Sequence, residues 1–275
     1  MKSISVYGEP GSYSELAALK HFPKIKTRLK YIGFLPELFK SVEGTQDLGV
    51  VPIENSLEGA VTQTYDLLLK SDLFISAEQI IPISHCLIAQ KGMKLSDVKY
   101  VYSHQQALGQ CREYLEGHGM RPVPFYDTAG SVKMLKESRR SDSAAIASEI
   151  AAKTYGMKVL ERNIQSVKHN YTRFIIISKD AHQKSGNKTT IAFSAKHKPG
   201  SLFRALNCFY RNKINLLFIQ SRPIPGMAWE YNFYVDCDKG INDAGMRNAI
   251  KQLYGASDFV KILGSYKRAR FESYA

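Results

Sequence analysis

Short apolar runs alternate with segments of helical period from Ser3 to about Ser178. The runs Ser3–Tyr7, Leu48–Ile53, Phe74–Glu78, Lys99–Tyr102, Arg121–Phe125 and Met157–Leu160 predict strands. Between them Ser14–Phe22, Val61–Leu69, His104–Leu115, Ala129–Glu137 and Ser148–Tyr155 predict helices. That alternation is the pattern of a mostly parallel α/β sheet, in which ligands sit at the carboxyl ends of strands. A last apolar run, Asn170-Tyr171-Thr172-Arg173-Phe174-Ile175-Ile176-Ile177, breaks its own rule. It places a hydroxyl and a guanidinium where a core strand ordinarily carries hydrocarbon, and such conflicts mark functional positions.

The polar segment from Lys179 to Lys188 lacks apolar periodicity and reads as a linker. Beyond it, Thr189–Ala195 is strand-like, and Gly200–Ile214 carries Leu202, Leu206 and Phe209 at i, i+4, i+7, the stripe of a core-facing helix. Leu216–Gln220 follows as a strand. Trp229, Tyr231, Phe233 and Val235 then alternate with Glu230, Asn232, Tyr234 and Asp236, as in a strand with one buried face. Met246, Ile250 and Leu253 mark a helix and Phe259–Tyr266 a final strand. The order βαββαβ predicts a ferredoxin-like second domain, so the expected domains are residues 1–180 and 188–270.

With 275 residues, 44% hydrophobic and 23% charged, the chain is long enough for two cores. No apolar run approaches the ~20 residues that span a bilayer, and Met1-Lys2-Ser3-Ile4-Ser5-Val6-Tyr7 reads as a strand rather than a signal peptide. A cytoplasmic protein with no membrane partner is expected. Cys86, Cys111, Cys208 and Cys237 lack zinc-site spacing and in a reducing compartment read as free thiols. The net charge of +13 favours anionic partners. Its lysines and arginines are spread along the chain, with short clusters at Arg139-Arg140 and around Lys267-Arg268 and no nucleic-acid-binding signature. An anionic metabolite is therefore expected rather than nucleic acid.

Three further segments carry candidate chemistry. Gly8-Glu9-Pro10-Gly11-Ser12-Tyr13-Ser14 joins the first strand to the first helix. Ser12 or Ser14 can cap that helix, and free N–H groups there suit a carboxylate, although a plain strand-to-helix turn explains it equally. The run Val50 to Val61 ends a buried strand in Glu54-Asn55-Ser56-Leu57-Glu58. This is either a cap by Asn55 or Ser56 or the wall of a site at a strand's carboxyl end. In Tyr102-Ser103-His104-Gln105-Gln106-Ala107-Leu108-Gly109-Gln110-Cys111, Ser103 reads as a cap sharing a helix stripe with Gln110. Leu108, Cys111 and Leu115 face the core, and His104 reads as a surface residue of the first turn.

Together these blocks, with Thr172-Arg173-Phe174, Pro199-Gly200-Ser201-Leu202 and the stretch from Ile214 to Asp236, fall in the order of a known family over essentially the whole chain. The sequence resembles monofunctional prephenate dehydratases with a C-terminal ACT regulatory domain. The resemblance implies an α/β two-lobed catalytic domain similar to a type II periplasmic binding protein, followed by an α+β ferredoxin-like ACT domain. It implies conversion of prephenate to phenylpyruvate with loss of water and carbon dioxide, without metal or organic cofactor. Bifunctional relatives carry a helical chorismate mutase ahead of this domain. Here the first strand stands at the N-terminus, and mutase activity is not expected.

By match to the family's motifs, Thr172 is the catalytic hydrogen-bond donor to the departing hydroxyl. Asn55, Ser103 and Gln110 orient the substrate, and Glu54, Ser56, Arg173 and Phe174 complete the substrate-binding set. In a regular strand Arg173 points away from Thr172 and enters the pocket only if the strand is irregular; otherwise it pairs structurally. The resemblance assigns L-phenylalanine binding to Gly200, Ser201 and Leu202 and to Gln220, Ser221, Arg222 and Pro223, with Asn215 nearby. It also implies ACT domains paired edge to edge in a homodimer or homotetramer. Three positions depart from the family pattern: Gln220 stands where Glu is usual, Gln105 where Pro is common, and Ser166 where an acidic residue is usual. Dehydration of arogenate, a non-catalytic aromatic-metabolite sensor and a basic nucleic-acid regulator are the alternatives.

Overall fold

A computed structural model describes residues 3–23, 28–45, 47–180 and 186–270. In chain order the elements are β1 (Ile4–Tyr7), α1 (Tyr13–His21), β2 (Leu29–Ile32), α2 (Leu35–Gly44), β3 (Leu48–Asn55), the short β4 (Gly59–Ala60), α3 (Thr62–Lys70) and β5 (Phe74–Pro82). Then come β6 (Cys86–Ala89), β7 (Tyr100–Ser103), α4 (Gln105–Gln110), α5 (Arg112–Gly117), β8 (Arg121–Pro124), α6 (Thr128–Ser138), β9 (Ser143–Ala147), α7 (Glu149–Tyr155), β10 (Lys158–Arg162) and β11 (Tyr171–Ser178). The chain ends with β12 (Lys188–Ala195), α8 (Ser201–Arg211), β13 (Leu216–Pro223), β14 (Tyr231–Cys237), α9 (Ala244–Ala256) and β15 (Ser257–Tyr266).

Three sheets organise these strands, in the orders β2-β1-β3-β11-β5 with β4 beside β3, then β10-β6-β9-β7-β8, then β13-β14-β12-β15. The expectation of one mostly parallel sheet is corrected here. Although β1 pairs parallel to β2, and β7 parallel to β8 and β9, strand β6 runs antiparallel to both β9 and β10. Strands β9 and β10 are joined through helix α7 and run in the same direction, and β6, entered from β5 of the first sheet, is inserted between them in the opposite one. The expected helix over His104–Leu115 is likewise two, broken at Cys111, whose φ of -109° and ψ of 14° leave the helical region.

By contact the chain forms two compact units, residues 1–38, 50–59 and 80–174, and residues 39–49, 60–79 and 175–275. Strands β5 and β11 each run across that division. In the first unit the five-stranded sheet is apolar on both faces. Leu87, Ala144 and Ile146 pack with Leu108, Cys111 and Leu115, while Cys86, Ala145 and Ala147 pack with Val132, Leu135 and Ala151. A strand buried on both sides needs hydrocarbon at every position, which accounts for the unbroken runs Cys86-Leu87-Ile88-Ala89 and Ala144-Ala145-Ile146-Ala147.

The second unit contains the βαββαβ array, with Ile191, Phe193 and Val235 packed against Ala205 and Phe209 of α8 and Met246 and Leu253 of α9. The opposite face of this sheet is polar yet buried. Lys188 Nζ lies 2.8 Å from Glu78 Oε2 and 3.0 Å from Asp236 Oδ2. Thr190 Oγ1 donates to Asp236 Oδ1 at 2.6 Å and stands 2.8 Å from the Tyr266 hydroxyl. Helix α3 belongs to the same unit: Tyr65 stacks on Phe218 at 5.4 Å, and Arg222 Nη2 pairs with Asp66 at 2.7 Å. At the end of α3, Lys261 Nζ donates to the carbonyls of Leu68, Leu69 and Ser71, satisfying oxygens that a helix terminus leaves without intrahelical partners. The four cysteines are buried free thiols. Of the expected linker, residues 181–185 lie outside the described residues.

Candidate active site

In the first unit the carboxyl end of β3 and the start of β11 are laced together. Ser56 N–H donates to the Tyr171 carbonyl at 2.8 Å, and Tyr171 N–H donates to Ser56 Oγ at 2.9 Å. The Asn55 side chain is thereby held beside Thr172. Two backbone N–H groups, from Leu57 and Glu58, each donate to Asn55 Oδ1 at 3.0 Å. Oδ1 is therefore the oxygen end of this amide, and Nδ2 faces the other way.

That Nδ2 donates to Asn170 Oδ1 at 2.7 Å, to Thr172 Oγ1 at 3.0 Å and to the Tyr171 carbonyl at 3.2 Å. Thr172 Oγ1 is an acceptor in its bond from Asn55, so the hydroxyl hydrogen is left to point elsewhere as a donor. Asn170 Nδ2 continues the chain to Gln110 Oε1 at 2.9 Å, and the same oxygen lies 2.9 Å from His85 Nε2. Among the described residues Gln110 Nε2 donates to Glu58 Oε1, at 3.4 Å. Asn170 and His85 are buried, at 1% and 3% exposure, whereas Asn55 and Gln110 are half-buried and Thr172 is 9% exposed. The hydroxyl thus stands in a hydrogen-bond chain with two half-buried amides.

Other candidates are placed differently. Glu54 and Arg173 each neighbour a site residue in the strand, and alternation turns them to the other face. There Arg173 Nε donates to Glu54 Oε2 at 2.9 Å, a structural pairing of the two. Phe174 is buried in the core at 3% exposure. Ser103 is corrected as a helix cap: it is the last residue of β7, fully buried, with Oγ donating to the Ile146 carbonyl at 2.6 Å. His104 occupies the cap position instead, its Nδ1 accepting from Gln106 N–H. Neither Asn55 nor Ser56 caps α3, which starts at Thr62 after Val61 with no side-chain cap; Asn55 Oδ1 closes a tighter turn. Ser12 does cap α1. Gly11, at φ +86°, leaves no room for a side chain, because a Cβ would stand 2.6 Å from Ala151 Cα.

Sequence reasoning missed His85 and Asn170. The signal for His85 is the one that exposed Thr172, a polar residue inside the apolar stretch from Ile80 to Ile88. Burial lowers the pKa of His85 from its ordinary 6.5, outweighing the bond to Gln110. Since the folded state refuses a proton that the unfolded chain accepts below about pH 6.5, the neutral ring's contribution is present above that pH and lost as pH falls toward the folded pKa. The melting temperature of the native protein should therefore drop more steeply between about pH 7.5 and pH 5.5 than that of His85→Gln. Parallel curves would remove His85 from the acid sensitivity.

In the second unit, Gly200 (φ +77°) precedes α8, which starts at Ser201, and Leu202 lines a cleft of about 390 Å³ with Lys198, Pro199, Trp229 and Tyr231. Gln220, Ser221, Arg222 and Pro223 lie on the edge strand β13 and do not line that cleft. Gln220 Nε2 donates to the Ser221 carbonyl, Arg222 is paired with Asp66, and Asn215 N–H donates to Asp238 Oδ1. The two proposed effector segments are thus not joined into one cleft within a single chain. Among the described residues, no cluster of three His, Cys, Asp or Glu side chains is placed to hold a metal, and no helix is long and apolar enough to cross a membrane.

Known proteins similar to this chain point to one family. The family described as prephenate dehydratase matches residues 4–182. A prephenate dehydratase of Methanocaldococcus jannaschii is 38% identical over 97% of this chain and 98% of its own length. The solved structure of prephenate dehydratase from Arthrobacter aurescens in complex with L-Phe superposes with a TM-score of 0.88 at 30% identity, covering 97% of this chain and 90% of that one. A structure described as GqqA, a novel type of quorum quenching acylase, has the same TM-score at 29% identity, covering 97% and 98%. A family match over most of the chain, close relatives along its full length and a hydroxyl set among amides at strand ends converge: this chain belongs to the prephenate dehydratase family, enzymes of the carbon–oxygen lyase class.

Proposed function

We propose that this enzyme converts prephenate to phenylpyruvate, with Thr172 as the donor that assists the departing hydroxyl and the side-chain amides of Asn55 and Gln110 holding the substrate. The observation that carries the reading is the direction of one hydrogen bond. Because Asn55 Nδ2 donates to Thr172 Oγ1, the threonine hydrogen is available to an oxygen outside the protein.

The chemistry needs little more. As the ring carboxylate leaves as carbon dioxide, the electrons of its C–C bond enter the ring and the C4–O bond breaks. The hydroxide takes up a proton and departs as water. Aromatisation supplies the driving force, so the protein's task is to stabilise charge on the leaving oxygen. Neutral amides suit the carboxylate end, since a strong cation there would stabilise the ground state that must be given up. The guanidinium of Arg173 has a carboxylate, Glu54, beside it that offsets its charge.

In the same reading the βαββαβ region is an ACT domain, and L-phenylalanine regulates the enzyme there. The effector site is completed when two copies pair along the β13 edge, bringing Gly200–Leu202 of one chain to Gln220–Pro223 of the other in a cytoplasmic homodimer or a tetramer of dimers. Gln220 in place of Glu makes the site one charge weaker toward an ammonium group. The acylase likeness is the other class worth testing. Against it stands the absence of any imidazole or carboxylate hydrogen-bonded to Thr172 among the described residues, which leaves the hydroxyl without the base a nucleophile requires.

The test is one assay of purified protein with prephenate, then with arogenate, each with and without L-phenylalanine. Phenylpyruvate from prephenate, suppressed by L-phenylalanine, is expected. Faster phenylalanine formation from arogenate would reassign the substrate, and turnover of neither would refute the lyase reading.

A further inference from the structure

We infer that His85 is a positioning residue for this reaction: its neutral Nε2–H fixes which end of the Gln110 amide faces the substrate. The inference rests on the reading of Asn55, Gln110 and Thr172 as the site.

Gln110 Oε1 accepts from Asn170 Nδ2, so its other close neighbour, His85 Nε2 at 2.9 Å, must also be a donor. Two donors on one oxygen exclude the flipped amide, in which the Gln110 NH2 would face two N–H groups. Gln110 Nε2 is thereby turned to the exposed side, where it meets Glu58 at 3.4 Å. A carboxylate-bearing substrate is then offered N–H rather than C=O.

The ring is built in for this purpose. Its backbone N–H donates to Gln165 Oε1 at 2.9 Å, and its carbonyl accepts from Ile164 N–H. The edge of Tyr13 packs against the ring with centroids 6.3 Å apart, while the Tyr13 hydroxyl is bound to the Ser84 carbonyl. Nδ1, the atom that carries the lone pair in the Nε2–H tautomer, is buried with no hydrogen-bond partner among the described residues. A histidine used as a general acid or base would need that ring turned to the reacting atoms. This one faces Gln110, and through Asn170 and Asn55 it lies at the far end of the hydrogen-bond chain that reaches Thr172.

The experiment compares His85→Phe, His85→Asn and His85→Gln in steady-state kinetics with prephenate, with Thr172→Val as control. Phe keeps the ring but has no donor, and the short Asn amide does not reach Gln110. The amide of Gln places an N–H near the position of Nε2. Losing this bond to the half-buried Gln110 amide should lower kcat/KM by about 10- to 100-fold in Phe and Asn, and Gln should restore it to within about threefold of the native enzyme. If Phe does not fold, Asn against Gln gives the same comparison. Phe or Asn turning over like the native enzyme, or Gln as impaired as both, would overturn the inference. With Thr172→Val inactive in either case, the reading of the site would survive. An active Thr172→Val would refute that reading itself.

Discussion

Thr172→Val should lose about 10²- to 10⁴-fold in kcat while keeping its fold. Valine matches threonine in shape, so the packing of β11 is undisturbed, and Asn55 Nδ2 retains Asn170 Oδ1 and the Tyr171 carbonyl as acceptors. No buried donor is orphaned, so thermal melting should move little. What disappears is the one O–H that the hydrogen-bond chain leaves free to act on the departing oxygen. The contribution is made in the transition state rather than the ground state, so kcat and kcat/KM should fall together with KM little changed. Phenylpyruvate formation under saturating prephenate reads the loss directly. A large rise in KM with kcat intact would make Thr172 a binding residue instead.

Lys188→Met should produce the largest change in stability. The ammonium is held between Glu78 and Asp236, and all three side chains are at most 5% exposed. Breaking a buried pair by removing one partner costs about 3–5 kcal/mol, because the remaining charge is buried uncompensated. Here two carboxylates remain. Asp236 also accepts from Thr190, whose hydroxyl in turn contacts that of Tyr266. A fall in melting temperature on the order of 10 °C is expected, and the triple variant Lys188→Met, Glu78→Gln, Asp236→Asn should recover most of it. Unchanged melting of Lys188→Met would mean that water reaches the triad and screens it.

How far these features were legible depended on where burial falls. The strand expected from Trp229 to Asp236 is found as β14, but not with one buried face: Phe233 and Val235 face α8 and α9 while Asn232, Tyr234 and Asp236 are buried on the other side, and Trp229, at φ +68° and 77% exposed, lies outside the strand. Cys86–Ala89 and Ser143–Ala147 do not alternate, since both faces are covered, and short apolar runs of that kind do not distinguish strand from helix. The missed strands β6 and β9 are the outcome. Within the site, Asn55 and Thr172 stood out as polar residues at strand ends. His85 and Asn170 did not, because their roles come from pairings across 25 and 60 residues with Gln110, which no local motif announces. Ser103 illustrates the opposite error: a serine ahead of a helix has the sequence look of a cap, yet the strand continues through it and spends its hydroxyl on Ile146.

The central claim is that one hydroxyl hydrogen assists the leaving oxygen, and it is tested most directly by single-turnover phenylpyruvate formation in Thr172→Ser beside Thr172→Val. Serine keeps the O–H and loses only a methyl group. The account predicts that Ser retains turnover within about tenfold of the native rate while Val falls by about 10²-fold or more. Equal rates for Ser and Val would contradict it.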